Sequence, residues 1–204
     1  MNNLTRRSFG ATVVSGITAS TVNAETDSEP VAVGPIVGHI SVSTANIWYR
    51  PSHAGTYDLR IRESGQKETR LIHAKSDPKN DLCVIWRVTD LKAATTYHYE
   101  ILESGNVLPG KGPQSLTTAP PDQAKAEISL AFGSCAESRP LALWSQMEEH
   151  DVDGLVLLGD TPYIDSTDLA TQRAKHREFL SIPELSQFGR CRPVWGTWDD
   201  HDFG

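Results

Sequence analysis

The sequence predicts two domains in series: an all-β sandwich over residues 30–118 and an incomplete α/β unit over residues 127–204. Three observations predict it. The first stretch alternates apolar and polar residues with period two, in short runs broken at turns, as half-buried strands do. A proline pair, Pro120-Pro121, then interrupts the chain. Beyond it, short apolar runs alternate with segments of helical period, the order that builds a parallel sheet with crossover helices. At 204 residues there is room for one large or two small cores. A composition of 38% hydrophobic and 22% charged residues excludes a disordered tail, a collagen and a multi-span membrane protein. The 19 Lys and Arg against 26 Asp and Glu give a net charge of −7, which argues against a stable nucleic-acid partner held by phosphate neutralisation. The same acidity opposes an anionic substrate unless a bound cation inverts the local field.

Residues 1–24 contain no Asp or Glu. They run from a basic start, Arg6-Arg7, through an apolar middle, Phe9 to Ala19, to Thr21-Val22-Asn23-Ala24. Small residues at 22 and 24 suit signal-peptide cleavage after Ala24. The apolar stretch falls short of the ~20 residues that span a bilayer, so no membrane anchor is expected. Arg6-Arg7-Ser8-Phe9 resembles a twin-arginine export signal. That resemblance implies passage through the twin-arginine export machinery after folding, to the periplasm or the exterior. The three cysteines, Cys83, Cys135 and Cys191, form no CxxC; an exported chain can pair two of them.

The sandwich begins with an extended region holding Ile40, Val42, Ala45, Ile47 and Tyr49, ended by Pro51. Tyr57, Leu59 and Ile61 alternate with polar residues up to Gly65. Leu82, Val84, Trp86 and Val88 share one parity, and Tyr97, Tyr99 and Ile101 repeat it. Trp48, Trp86 and Cys83 are expected in the core, and His39, His53, His73 and His98 are expected to be ordinary surface or satisfied histidines. The stretch Leu91-x-x-x-Thr95-x-Tyr97-x-Tyr99 resembles the corner of fibronectin type III domains, which implies a Tyr hydroxyl tied to the preceding loop. Leu116 to Gln123 reads as connecting chain, with residues 119–126 as the linker.

In the second domain, Glu127 to Phe132 predicts a strand with Ile128, Leu130 and Phe132 on one face. It ends at Gly133-Ser134-Cys135. Pro140 opens a helix that carries Leu141, Trp144 and Met147 on a common side. Asp151-Val152-Asp153-Gly154 breaks it, and Leu155 to Leu158 follows as a continuous apolar run, the mark of a strand covered on both faces. A second helix is predicted from about Leu169 to Leu180, with His176 on a solvated face between Lys175 and Arg177. Pro183 and Gly189 punctuate the next stretch, and Val194-Trp195 is a short third strand.

Each strand of this domain ends in groups able to hold a metal: Cys135, then Asp160 and Tyr163, then Asp199-Asp200-His201-Asp202. In an open parallel sheet such groups gather at the carboxyl ends of neighbouring strands, so topology is expected to bring the three together. Gly159-Asp160-x-x-Tyr163 followed by Asp199-Asp200-His201-Asp202 resembles the calcineurin-like metallophosphoesterases. Trp198 to Gly204, with Phe132-Gly133-Ser134-Cys135, is similar to the alkaline phosphatase D (PhoD-like) family, and the resemblance spans essentially the whole chain. It implies an exported phosphohydrolase that cleaves phosphomonoesters or phosphodiesters with a metal-activated hydroxide and without a phospho-enzyme. It also implies Asp160 bridging two cations, Cys135 and Tyr163 on Fe(III), Asp200 on Ca(2+) where relatives carry Asn, and His201 as the catalytic group facing phosphate. Asp199 and Asp202 are left open as orienting groups, Asp165 as a loop residue, and Arg139 as one of many solvated arginines.

Two other readings are weighed. One is a β-sandwich adhesion or carbohydrate-binding module with a degenerate partner domain, which intact groups in all three blocks disfavour. The other is a purple-acid-type phosphatase, which keeps Asp where Cys135 stands and Asn where Asp200 stands. The family's later His-containing blocks are not among these residues, so the chain is expected to be a fragment of a longer protein or a truncated reading frame, a poor catalyst alone and marginal in its second half.

Overall fold

The computed structural model describes residues 31–110, 114–139 and 141–202. The leader expected over residues 1–24 and the helix-opening Pro140 lie outside the described residues. Among the described residues, no helix is long and apolar enough to cross a membrane.

Among the described residues, eight strands make the first half: β1 (Val33–Gly38), β2 (Ala45–Arg50), β3 (Thr56–Glu63), β4 (Arg70–Lys75), β5 (Val84–Val88), β6 (Thr96–Glu103), β7 (Asn106–Val107) and β8 (Ser115–Thr117). One antiparallel sheet has the order β1-β2-β5, with Val37 opposite Ile47 and Ile47 opposite Trp86. The other has the order β4-β3-β6-β7, with β8 also on β6 and Leu59 opposite Ile101. Their inner faces meet in one cluster that includes Ile47, Tyr57, Leu59, Trp86, Tyr99 and Ile101. Each such side chain contributes about 1.5–3 kcal/mol by leaving water. The corner forms as expected: the Lys92 N–H donates to the Tyr97 hydroxyl at 2.8 Å.

Several expectations are corrected here. Ile40 and Val42 are not in a strand; the chain turns at His39, with φ of 47°, and the Ser41 N–H bonds to Thr44 O at 2.8 Å. The strand before them, β1, contains Gly34-Pro35, a pair that reads locally as a turn. Trp48 is half-buried on the outer side of β2, since its parity is that of Asn46 rather than of Ile47. Leu116 is no linker residue: it is 1% exposed and pairs with Tyr97. Thr118 then ties back to the corner through its hydroxyl, which donates to Lys92 O and accepts the Thr95 N–H.

The second half contains β9 (Leu130–Gly133), α1 (Ala142–Glu149), β10 (Gly154–Leu157), α2 (Leu169–Leu180), α3 (Pro183–Gly189) and β11 (Val194–Gly196). The three strands are parallel in the order β11-β10-β9, with Leu155 between Ala131 and Val194. Helices α1, α2 and α3 lie on one face, where Trp144, Met147, Phe179, Leu185 and Phe188 cover Leu155 and Leu157. The other face is open. Phe132, Val156 and Trp195 form a cross-strand row there, with Phe132 63% exposed and Val156 only half-buried. The expected double cover of Leu155 to Leu158 is therefore present on one side only, and Ile128, Leu130 and Phe132 share an exposed face. Pro183 and Gly189, which punctuate the sequence here, start and end a helix, because Pro suits the first helical position and Leu185 and Phe188 give the turn a buried stripe.

The two halves are joined by polar contacts. Asp81 accepts from Arg50 and, across the seam, from Arg177 of α2 at 3.0 Å. Arg173 donates to Lys79 O, and the Tyr99 hydroxyl donates to Arg190 O at 2.8 Å. Among the described residues no disulfide forms.

Candidate metal centre

The parallel order sends the carboxyl ends of β9, β10 and β11 to the same edge, and the loops leaving them interlock. The Leu158 N–H donates to Gly133 O at 2.7 Å, and the Cys135 N–H to Gly159 O at 3.3 Å. Cys135, Asp160 and Asp165 all have positive φ, at 56°, 52° and 51°. Non-glycine residues held so cost on the order of 1–3 kcal/mol each and collect at functional sites.

Gly159 is the tightest point. Its φ is 96°, and a Cβ there would stand 2.6 Å from Asp199 Cβ and 2.9 Å from Asp199 N. Only glycine lets the second and third loops approach this closely. Gly159→Ala is expected to push the Asp199–Asp202 segment away and cost about 2–3 kcal/mol, combining positive-φ strain with a backbone clash. Denaturant unfolding checks it, and a loss under about 0.5 kcal/mol would contradict the clash.

The predicted residues meet. Asp160, Asp200 and His201 each offer one ligand atom, and these atoms lie within 4.8 Å of one another. Cys135 Sγ is 3.6 Å from Asp160 Oδ2. Tyr163 stands edge-on to the His201 ring, with centroids 4.9 Å apart, and its hydroxyl interacts with Cys135. That contact, ahead of burial and nearby carboxylates, pushes the Tyr163 phenol up to about 12. Asp160 is 8% exposed, whereas Asp200 faces solvent. Among the described residues, neither Asp160 nor Asp200 has a Lys or Arg ion-pair partner. Two carboxylates this close, without a cationic side chain, form a donor set suited to a cation.

Two residues matter more than their sequence context suggests. Asp165, expected as a plain loop residue, receives the His201 Nδ1 contact, and the Ile164 and Asp165 N–H groups both donate to His201 O. The Asp165 carboxylate raises the His201 pKa above its ordinary value, with Asp200 and Asp160 adding to it. Asp202 is 5% exposed and accepts the N–H groups of Asp160, Thr161 and Asp199 at 2.9, 3.3 and 2.7 Å. It braces the β10 loop against the β11 loop. Asp199 accepts the Asp200 N–H at 3.0 Å. Arg139 pairs with Glu137 two residues away. His176 is not on a solvated face: it is half-buried, and burial lowers its pKa. No local signal marks Asp165, because His201 is 36 residues distant in the chain, and Asp202, left open as an orienting group, owes its bracing role to Thr161 and Asp160, 41 and 42 residues away.

No family model matches the chain, and no curated protein does either. Among solved structures, it is similar to PhoD with a TM-score of 0.68 at 18% identity, over 81% of this chain and 38% of that one. It is also similar to the purple acid phosphatase PPD1 from yellow lupin (Lupinus luteus) seeds, with a TM-score of 0.62 at 11% identity, over 83% of this chain and 35% of that one. The chain spans under two-fifths of the length of either neighbour. At these identities the likeness establishes a shared fold and nothing more.

Proposed function

We propose that this chain carries the metal-gathering part of an exported phosphohydrolase that cleaves phosphate esters of small molecules or phosphodiesters. The observation that carries the reading is the convergence of Cys135, Asp160, Tyr163, Asp200 and His201 at one sheet edge from three separate loops. The fold shared with two phosphatases supports it. In this reading Cys135 and Tyr163 would hold Fe(III), Asp200 would hold Ca(2+), and Asp160 would serve both cations. The cations, when bound, would supply positive charge for an anionic ester and lower the pKa of water to about 7. The protein's own groups do the rest. Asp165 holds the imidazole of His201 through Nδ1, and Tyr163 fixes its plane. The imidazole stays protonated to higher pH and can deliver a proton from Nε2 to the leaving oxygen, a contribution of about 10²–10⁴ in rate. Tyr163, being a weak acid here, would keep its proton until a cation takes the phenolate oxygen, and that proton would pass to solvent, so metal uptake is expected to release protons. The leader resembling a twin-arginine signal supports export.

The test is metal uptake by the full chain, read by iron and calcium content and by the visible absorption of a thiolate- and phenolate-bound Fe(III). Cys135→Ser is expected to cut iron retention at least tenfold and shift that absorption. Chelation is expected to remove any hydrolysis of p-nitrophenyl phosphate or its diester. Equal iron content and spectrum in Cys135→Ser would overturn the assignment. A pure binding module would retain no iron at all.

A further inference from the structure

We propose that Ser52, His53 and Glu103 form a second hydrolytic site, at the β2–β3 turn of the sandwich, that transfers the acyl group of small, activated carboxylic esters. The Ser52 hydroxyl is 3.0 Å from His53 Nδ1, and His53 Nε2 is 2.6 Å from Glu103 Oε1. A carboxylate accepts only from an N–H, so the neutral imidazole carries its proton on Nε2 and offers the Nδ1 lone pair to the Ser52 O–H. Nucleophile, base and orienting carboxylate are thereby joined in one line of hydrogen bonds, the order that activates a serine.

Core groups hold this arrangement from beneath. The His53 carbonyl accepts from the Tyr57 hydroxyl at 3.0 Å and from the Ser76 hydroxyl at 3.3 Å, and both residues are buried. Tyr57 stands opposite Glu103 in the β3–β6 pairing, and its hydroxyl also interacts with that carboxylate. Gly55 abuts the same pair: a Cβ there would stand 3.3 Å from the Tyr57 ring and 3.6 Å from Glu103 Oε1. Among the described residues no Lys or Arg forms an ion pair with Glu103, so its charge is left for the imidazole. The His53 side chain is 62% exposed, so a substrate reaches it directly, whereas Glu103 is 27% exposed. In the reaction, Ser52 Oγ bonds to the ester carbonyl carbon as its proton passes to His53 Nδ1. The N–H groups of His53 and Ala54 have no partner among the described residues and are available to the oxyanion, as the N–H after a nucleophile often is. The bond to the leaving oxygen then breaks, and that oxygen takes the proton from Nδ1. Water, giving a proton to Nδ1, attacks the acyl carbon, and Ser52 leaves with that proton. The site lies on an open turn, which limits it to small esters with good leaving groups. It does not depend on the metal centre or on the phosphohydrolase reading.

The experiment treats the full chain, with a chelator present, with p-nitrophenyl acetate and, separately, with a fluorophosphonate probe. One label per chain is expected, located on Ser52 by peptide mass spectrometry. Ser52→Ala is expected to lose the label, and both Ser52→Ala and His53→Gln to lower kcat/KM for the ester at least tenfold. Residues 52 and 53 are in a turn, so both variants are expected to unfold within about 2 °C of the wild type. Glu103 acts through His53, and Glu103→Gln is expected to lower kcat about threefold or more while KM holds. Ester hydrolysis unchanged in Ser52→Ala would overturn the proposal. So would a probe that labels another residue or none, or Glu103→Gln with the kcat of the wild type.

Discussion

Asp202→Ala is expected to destabilise the protein by about 3–5 kcal/mol and to disperse the metal donors. The carboxylate is buried and accepts three backbone N–H groups from two loops. A hydrogen bond to a charged group contributes about 1.5–3 kcal/mol, and a buried donor left bare costs about 1–3 kcal/mol. Water entering the vacated space recovers part of this, which sets the figure below a plain sum. Two of the three N–H groups belong to Asp160 and Asp199, beside the cluster, so the effect reaches function as well as stability. Urea unfolding and iron retention measured on the same protein are expected to fall together. Asp202→Asn keeps one carbonyl acceptor and is expected to lie between the two. Full stability with lost iron would recast Asp202 as a ligand rather than a brace.

Asp81→Ala is expected to cost about 3–5 kcal/mol, the typical penalty for stranding one member of a buried ion pair. Arg50 is nearly enclosed, with 9% of its side chain exposed, and donates to both Asp81 oxygens at 3.0 and 3.1 Å. Arg177 of α2 reaches the same carboxylate at 3.0 Å, so the variant also unties the seam. Burial pushes the Asp81 carboxyl up, but the hydrogen bonds and charges of Arg50 and Arg177 outweigh it and hold the group below its ordinary value of 3.8. A carboxyl with a depressed folded-state pKa binds more protons when unfolded. Its contribution is therefore present above pH 3.8 and is lost as the pH falls through the lower folded-state value. Wild-type stability is expected to drop in that acid window by more than that of Asp81→Ala, which has no such carboxyl to protonate. Parallel acid slopes for the two proteins would contradict the clamp. A double Arg50→Met, Asp81→Leu change removes both charges and is expected to recover most of the loss, because no charge is then left buried alone.

Much of the architecture was legible in local pattern. Tyr57, Leu59 and Ile61, or Val84, Trp86 and Val88, declare their buried face by parity alone, and all six are in the sandwich core. Helix α2 ends where Leu180 precedes a break, and Asp168 caps its start through the Thr171 N–H. Cys135, Asp160, Tyr163, Asp200 and His201 stood out because each follows an apolar run, and a parallel sheet sends such ends to one edge. What escaped was weakly patterned or non-local. β4 is an edge strand with mostly exposed residues, and β7 has two residues, so neither carries an apolar signature. Trp48 misled because size suggested burial while parity placed it outside.

The order of residues alone determined which segments extend, which coil, and which side of each is apolar, since these depend on contacts between near neighbours and on backbone preferences that act residue by residue. Tertiary structure alone decided that Asp202 braces two loops, that Asp165 holds His201 and that Asp81 joins the two halves. Those roles come from charges and hydrogen-bond donors brought together across 36 to 96 positions of chain. Coulomb and hydrogen-bond energies fall off over a few ångströms, so such partners have no interaction until the fold has closed the distance.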